Sequence, residues 1–206
     1  MIRDAFRFDL KFDREITAVT ILSTLLIMID RYHNFTGIKA LDRVFIYLLI
    51  PLLVVLLADR KPLREAGFQW GDWKAGVILC GVIIALAIPI LYFATRSSSS
   101  MIYYYQGKIS WVTPILTFLD LFGWEFFFRG WILFAYARKF GDHALWLQAV
   151  PFALGHLGKP EIETLSTIFG GFLFGMVAWR TKSFVYPFII HWFIFTYVIF
   201  VASGGF

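Results

Sequence analysis

Gly123-Trp124-Glu125-Phe126-Phe127-Phe128-Arg129-Gly130 sets a carboxylate and a guanidinium inside an apolar run that extends from Trp111 to about Ala137. A charged side chain near mid-bilayer costs roughly 2.5–3.5 kcal/mol on insertion scales, so such residues face inward and pair. Glu125 and Arg129 are four apart, which puts them on one face of a helix where each neutralises the other. The stretch reads as a helix buried in a membrane bundle with its polar pair turned to the interior.

The rest of the chain agrees with that reading. Of 206 residues, 59% are hydrophobic and 20% aromatic. That is well above the apolar share of an ordinary soluble domain. Apolar runs of the length needed to cross about 30 Å of hydrocarbon recur along it. They fall at about Ile16–Ile29, Val44–Ala58, Ala75–Thr95, the run around Glu125, Ala144–Leu157, Leu165–Trp179 and Phe184–Ala202. The fold class expected is all-α, a polytopic membrane bundle of about seven transmembrane helices. It forms one integral domain, with residues 1–110 as a lead-in plus three helices and 111–206 as a core of about four.

Between the spans, Met1–Glu15 alternates Phe6, Phe8, Leu10 and Phe12 with charges and reads as a lead-in on the membrane surface. Ser97–Ser100 reads as a flexible loop, and Tyr103-Tyr104-Tyr105 with Trp111 as an interfacial aromatic belt. Gly171 and Gly175 have the small-xxx-small spacing that lets helices approach closely.

The formal net charge of +5 comes from Lys and Arg scattered among short loops rather than from a basic face. That pattern is a topology signal and not a nucleic-acid footprint. With seven spans, the segments on the N-terminal side carry about twice the Lys and Arg of the other side. The N-terminus is therefore expected in the cytoplasm, in a bacterial inner membrane. The single cysteine, Cys80, excludes an internal disulfide and a cysteine-based metal site.

Three ionisable positions outside the loops stand out: Glu125 with Arg129, His156 and His191. At a rise of about 1.5 Å per residue they fall roughly 20, 18 and 10 Å from the same membrane side. A carboxylate and two imidazoles in one layer suit a water-activating site. Glu125 would act as general base, and His156 and His191 would orient the water or stabilise an oxyanion. The same three residues would also serve as a two-His, one-carboxylate metal site. Asp120 lies about 140° from Glu125 around an ideal helix, lining the same cavity or capping a loop. His33 and His143 lie in loops and carry no assignment.

The motifs that hold these residues resemble those of the CPBP intramembrane proteases, the Abi group that includes the type II CAAX prenyl endopeptidases. The family pattern runs Glu-Glu-x-x-x-Arg, then Phe-x-x-x-His, then His-x-x-x-Asn/Asp. Trp124-Glu125-Phe126-Phe127-Phe128-Arg129 resembles the first. Phe152-Ala153-Leu154-Gly155-His156 matches the second, and His191-Trp192-Phe193-Ile194-Phe195 resembles the third. The likeness covers about Trp111–Phe200. Two positions depart from it: Trp124 stands where the family has its first Glu, and Phe195 where it has Asn or Asp.

The resemblance implies an intramembrane endopeptidase with Glu125, His156 and His191 as catalytic residues, Arg129 as ion-pair partner and Phe152 as a motif residue. Its substrate would be a membrane-anchored, lipidated or C-terminally tagged peptide or protein, met within the lipid bilayer. The alternative is a catalytically inactive relative that acts by binding, in an immunity or chaperone-like role. The family is described both as metal-dependent, with a divalent metal such as zinc, and as metal-free. The metal-free form is the expectation here, because Phe195 removes a polar ligand, and no cofactor is otherwise expected.

Overall fold

The structure is a computed structural model and describes residues 9–204. The expected amphipathic lead-in therefore lies largely outside the described residues; Asp9–Phe12 are irregular. The described residues are mostly helical, with no strand among them.

Helix α1 (Arg14–Tyr32) starts at Asp13, whose carboxylate accepts from the backbone N–H groups of Glu15 and Ile16. Such a cap satisfies donors that the first helical turn leaves free. Helix α2 (Lys39–Ala58) contains two π-helical stretches, Val44–Leu49 and Val54–Ala58, on either side of Pro51. Helix α3 (Trp73–Arg96) is capped by Asp72 and presents most of its surface outward. The Ser run does not form the expected loop. The Ser98 side chain accepts from the N–H of Met101 and starts a short helix, α4 (Ser99–Tyr105).

Helix α5 carries the opening stretch. It runs as Thr113–Glu125, a π-helical turn over Phe126–Ile132, and Leu133–Phe140. All seven residues of that turn are buried. Three consecutive Phe rings point in different directions from a helix, so neighbours on every side must accept them; here they pack on Tyr47, Phe152 and Phe184. Helix α6 (Ala144–Gly155), α7 (Glu161–Thr181) and α8 (Val185–Ala202) complete the bundle.

Setting α4 aside, these helices match the seven expected spans. By length and composition, α2, α3, α7 and α8 qualify to cross a membrane. Helix α5 is long enough but carries Asp120, Glu125 and Arg129 within its run. Helix α6 has 12 residues, about 18 Å of rise, and reaches only partway through the hydrocarbon. Its end therefore delivers His156 to the interior of the bundle.

Close approach of α6 and α7 rests on the two spaced glycines. A Cβ on Gly171 would stand 3.0 Å from the Phe152 ring, and one on Gly175 2.7 Å from Gln148 Nε2. Small residues permit that proximity where lipid offers no hydrophobic drive for helices to associate.

Candidate active site

Glu125 and Arg129 are both fully buried. Arg129 Nε stands 3.4 Å from Glu125 Oε2, an ion pair one helical turn long. The guanidinium also lies 3.8 Å from the centre of the Phe152 ring and 5.4 Å from that of Phe174. Aromatic faces stabilise a desolvated cation in this way. The motif residue Phe152 thus has a physical role: its ring supports Arg129, and its carbonyl accepts from His156.

The two histidines are fixed through the same nitrogen. His191 Nδ1 lies 2.6 Å from Glu125 Oε1. His156 Nδ1 lies 2.8 Å from the Phe152 carbonyl. A carbonyl and a carboxylate only accept, so each Nδ1 carries the proton. Each ring is left with Nε2 as its free acceptor. The rings stand 6.3 Å apart, nearly parallel. Phe152 and Phe174 pack against His191 and hold its plane.

A cavity of about 540 Å³ opens onto these rings. Its walls are apolar residues of α3, α4, α7 and α8, among them Leu86, Ile90, Met101, Leu173 and Val198, with His156 and His191 at one part of the lining. Glu125 is not on that wall; it sits behind His191. The three residues singled out in the sequence are therefore together, but in series rather than side by side. Glu125 touches His191, and the imidazoles touch the cavity.

That arrangement does not suit a three-ligand metal centre. Glu125 Oε1 is engaged by His191 Nδ1, and Glu125 does not line the cavity that His156 and His191 face, so the carboxylate is not placed beside the two rings as a third ligand. Among the described residues no group of three His, Cys, Asp or Glu side chains converges as a metal-binding set.

Trp124 occupies the place of the absent first carboxylate. It is buried, its indole meeting His156 edge-on at 5.5 Å, with the Arg43 guanidinium 4.7 Å from the ring. Gly155 is needed beneath it, since a Cβ there would come within 2.9 Å of the indole. Asp120 does not join the site. It takes both oxygens to Arg43 Nη1, at 2.8 and 3.0 Å. Phe195 lines the cavity, under Lys159 at 4.6 Å from its ring centre.

Sequence reasoning missed the polar group at another part of the cavity. Glu163 lines it and receives the Tyr105 hydroxyl on both oxygens, at 2.8 and 2.7 Å, and Lys159 at 2.8 Å. The Lys159–Glu163 spacing of four was a readable signal; the Tyr105 partner, from α4, was not.

Residues 106–196 match the model of the family described as Type II CAAX prenyl endopeptidase Rce1-like. No curated protein and no solved structure matches. The matched stretch contains Trp124, Glu125, Arg129, Phe152, His156 and His191, and in it the chain is similar to this family of membrane-embedded proteases.

Proposed function

We propose that this chain hydrolyses a peptide bond of a lipidated or otherwise membrane-anchored substrate within the bilayer, with His191 as the base. Water held in the cavity donates one hydrogen to each Nε2 of His156 and His191. His191 takes its proton as the water oxygen attacks the scissile carbonyl, and the resulting imidazolium is stabilised by Glu125. The same proton then passes to the leaving amine. His156 orients the water through the second hydrogen. This moves Glu125 from the direct base of the sequence reading to a residue that positions and charges His191.

The observation that carries the reading is the 2.6 Å contact between His191 Nδ1 and Glu125 on the far side of a ring that lines an apolar cavity. A cavity of that lining suits a lipid chain, and the bilayer supplies the setting. We further place the N-terminus in the cytoplasm of a bacterial inner membrane, on the Lys/Arg asymmetry. We treat residues 111–206 as the catalytic core on the same footing.

A second reading is a non-catalytic member that binds membrane partners. Trp124 favours it, because an indole fills the space beside His156 where the family has its carboxylate. C-termini of membrane proteins from wild-type, deletion and Glu125→Gln host strains separate the two. Shared unprocessed precursors in the deletion and Glu125→Gln strains support hydrolysis and name the substrate. Rescue of the deletion phenotype by a stably expressed Glu125→Gln protein supports binding alone.

A further inference from the structure

The four membrane-crossing helices share one boundary at which α2 ends at Ala58, α3 begins at Trp73, α7 ends at Thr181 and α8 begins at Val185. Trp70 and Trp73 are exposed there, as tryptophans at a membrane–water interface are. At this level a cleft of about 390 Å³ is lined by Arg64, Arg138, Lys182, Glu65, Gln69 and Trp179, among others. We propose that this cleft binds the phosphate of an anionic phospholipid headgroup.

The cations are in surplus. Lys61 and Arg138 share Glu15 and also lie within electrostatic reach of Asp59, so that group is balanced and the surplus rests on Arg64 and Lys182. Among the described residues Arg64 and Lys182 have no carboxylate partner; the Lys182 ammonium lies 4.6 Å from the centre of the Trp179 ring. Glu65 offsets one of the two.

The cleft is also built rather than incidental. The Gln69 side-chain amide donates to the Lys182 carbonyl at 3.0 Å and to the Arg64 carbonyl at 3.3 Å, tying the two cation-bearing segments together. Lys182 sits at φ +57°, an uncommon backbone for a residue with a Cβ, at the C-cap of α7. Gly71 lies so close to Thr181 that a Cβ would reach 1.9 Å from its carbonyl oxygen. Phe134 and Ala137 supply apolar lining for the start of an acyl chain. Basic pockets between helices at the membrane surface select anionic headgroups through this combination.

The test uses full-length protein in phosphatidylcholine nanodiscs, with phosphatidylglycerol titrated in and bound lipid counted by native mass spectrometry. Arg64→Gln/Lys182→Gln is compared with Arg96→Gln/Lys108→Gln, which removes equal charge at the opposite end of α3. Each surface cation contributes roughly fivefold, so the first pair is expected to weaken phosphatidylglycerol binding on the order of 30-fold and the second to leave it unchanged. Equal weakening by both pairs, or none by the first, overturns the site. A parallel arm adds inorganic phosphate to phosphatidylcholine nanodiscs. Saturable protection of the wild type by phosphate alone, absent in the first pair, overturns the lipid as source and leaves a free-phosphate site.

Discussion

If Glu125 acts only through His191, removing its charge should matter only while His191 is present. Glu125→Gln keeps an oxygen to accept from Nδ1–H and keeps the shape of a fully buried site. It removes the negative charge that stabilises the imidazolium formed as water is deprotonated. Loss of a positioned base, or of the carboxylate behind one, lowers turnover by about 10²- to 10⁴-fold. KM should hold, because Glu125 does not line the cavity. In the His191→Ala background the same change should cost no further factor, since residues that act as a unit are not additive.

The assay is release of a fluorogenic fragment from a prenylated peptide in proteoliposomes, measured for both single variants and the double. An equal fall in turnover from Glu125→Gln with or without His191 would refute the reasoning, because Glu125 would then be meeting the water itself. A folding artefact is separable. Without its carboxylate partner Arg129 is a buried unpaired charge, a loss of about 3–5 kcal/mol. Glu125→Gln/Arg129→Met removes both charges, so thermal stability should largely return while turnover does not.

Three further outcomes follow from named contacts. Gly170 lines the cavity with open space where a Cβ would stand. Gly170→Leu should stabilise α7 by about 0.5–1 kcal/mol through helix propensity, read as a raised Tm, yet raise KM for a lipidated peptide; an unchanged KM would show that substrate does not use this cavity. Gly175→Leu should cost about 1–3 kcal/mol by overpacking against Gln148, and an unaltered Tm would contradict the close α6–α7 contact. Asp72 outside the membrane is held below the usual aspartate range by the N–H of Ala75 and then by Arg180. A lowered folded pKa gives stability that is present above the unfolded value near 3.8 and lost as pH falls through the folded one. Asp72→Asn should therefore flatten the acid limb of a Tm-against-pH profile below about pH 4; identical limbs would remove Asp72 as a contributor.

How far the sequence carried depends on which physical rule each feature obeys. Helix positions follow from apolar length, so each of the seven expected spans falls on a helix, and four of those helices are long and apolar enough to cross a membrane. The shared layer of Glu125, His156 and His191 followed from rise per residue, even though His156 turned out to cap a half-length helix. Rotation about a helix axis was much less legible. A π-helical turn over Phe126–Ile132 changes the angular step immediately after Glu125, and long-range partners decide where each side chain goes. Asp120 turned to Arg43, 77 residues away, and Tyr105 to Glu163, 58 residues away. Neither pairing has a local signal.

The departure at Trp124 shows what that distinction means for mechanism. From sequence alone, losing the first carboxylate of the motif leaves Glu125 as the nearest substitute and so as the presumed base. In three dimensions adjacency along a helix is a rotation of about 100°, and Glu125 uses it to reach His191 rather than the cavity. The carboxylate that does line the cavity is Glu163, held by Tyr105 and Lys159. Its oxygens are already occupied by donors, which suits holding α4 against α7 better than taking a proton from water. His156 and His191 also line the cavity, each with Nδ1 engaged on its far side, and in the proposed mechanism Glu125 behind His191 would stabilise the imidazolium formed when that ring takes a proton.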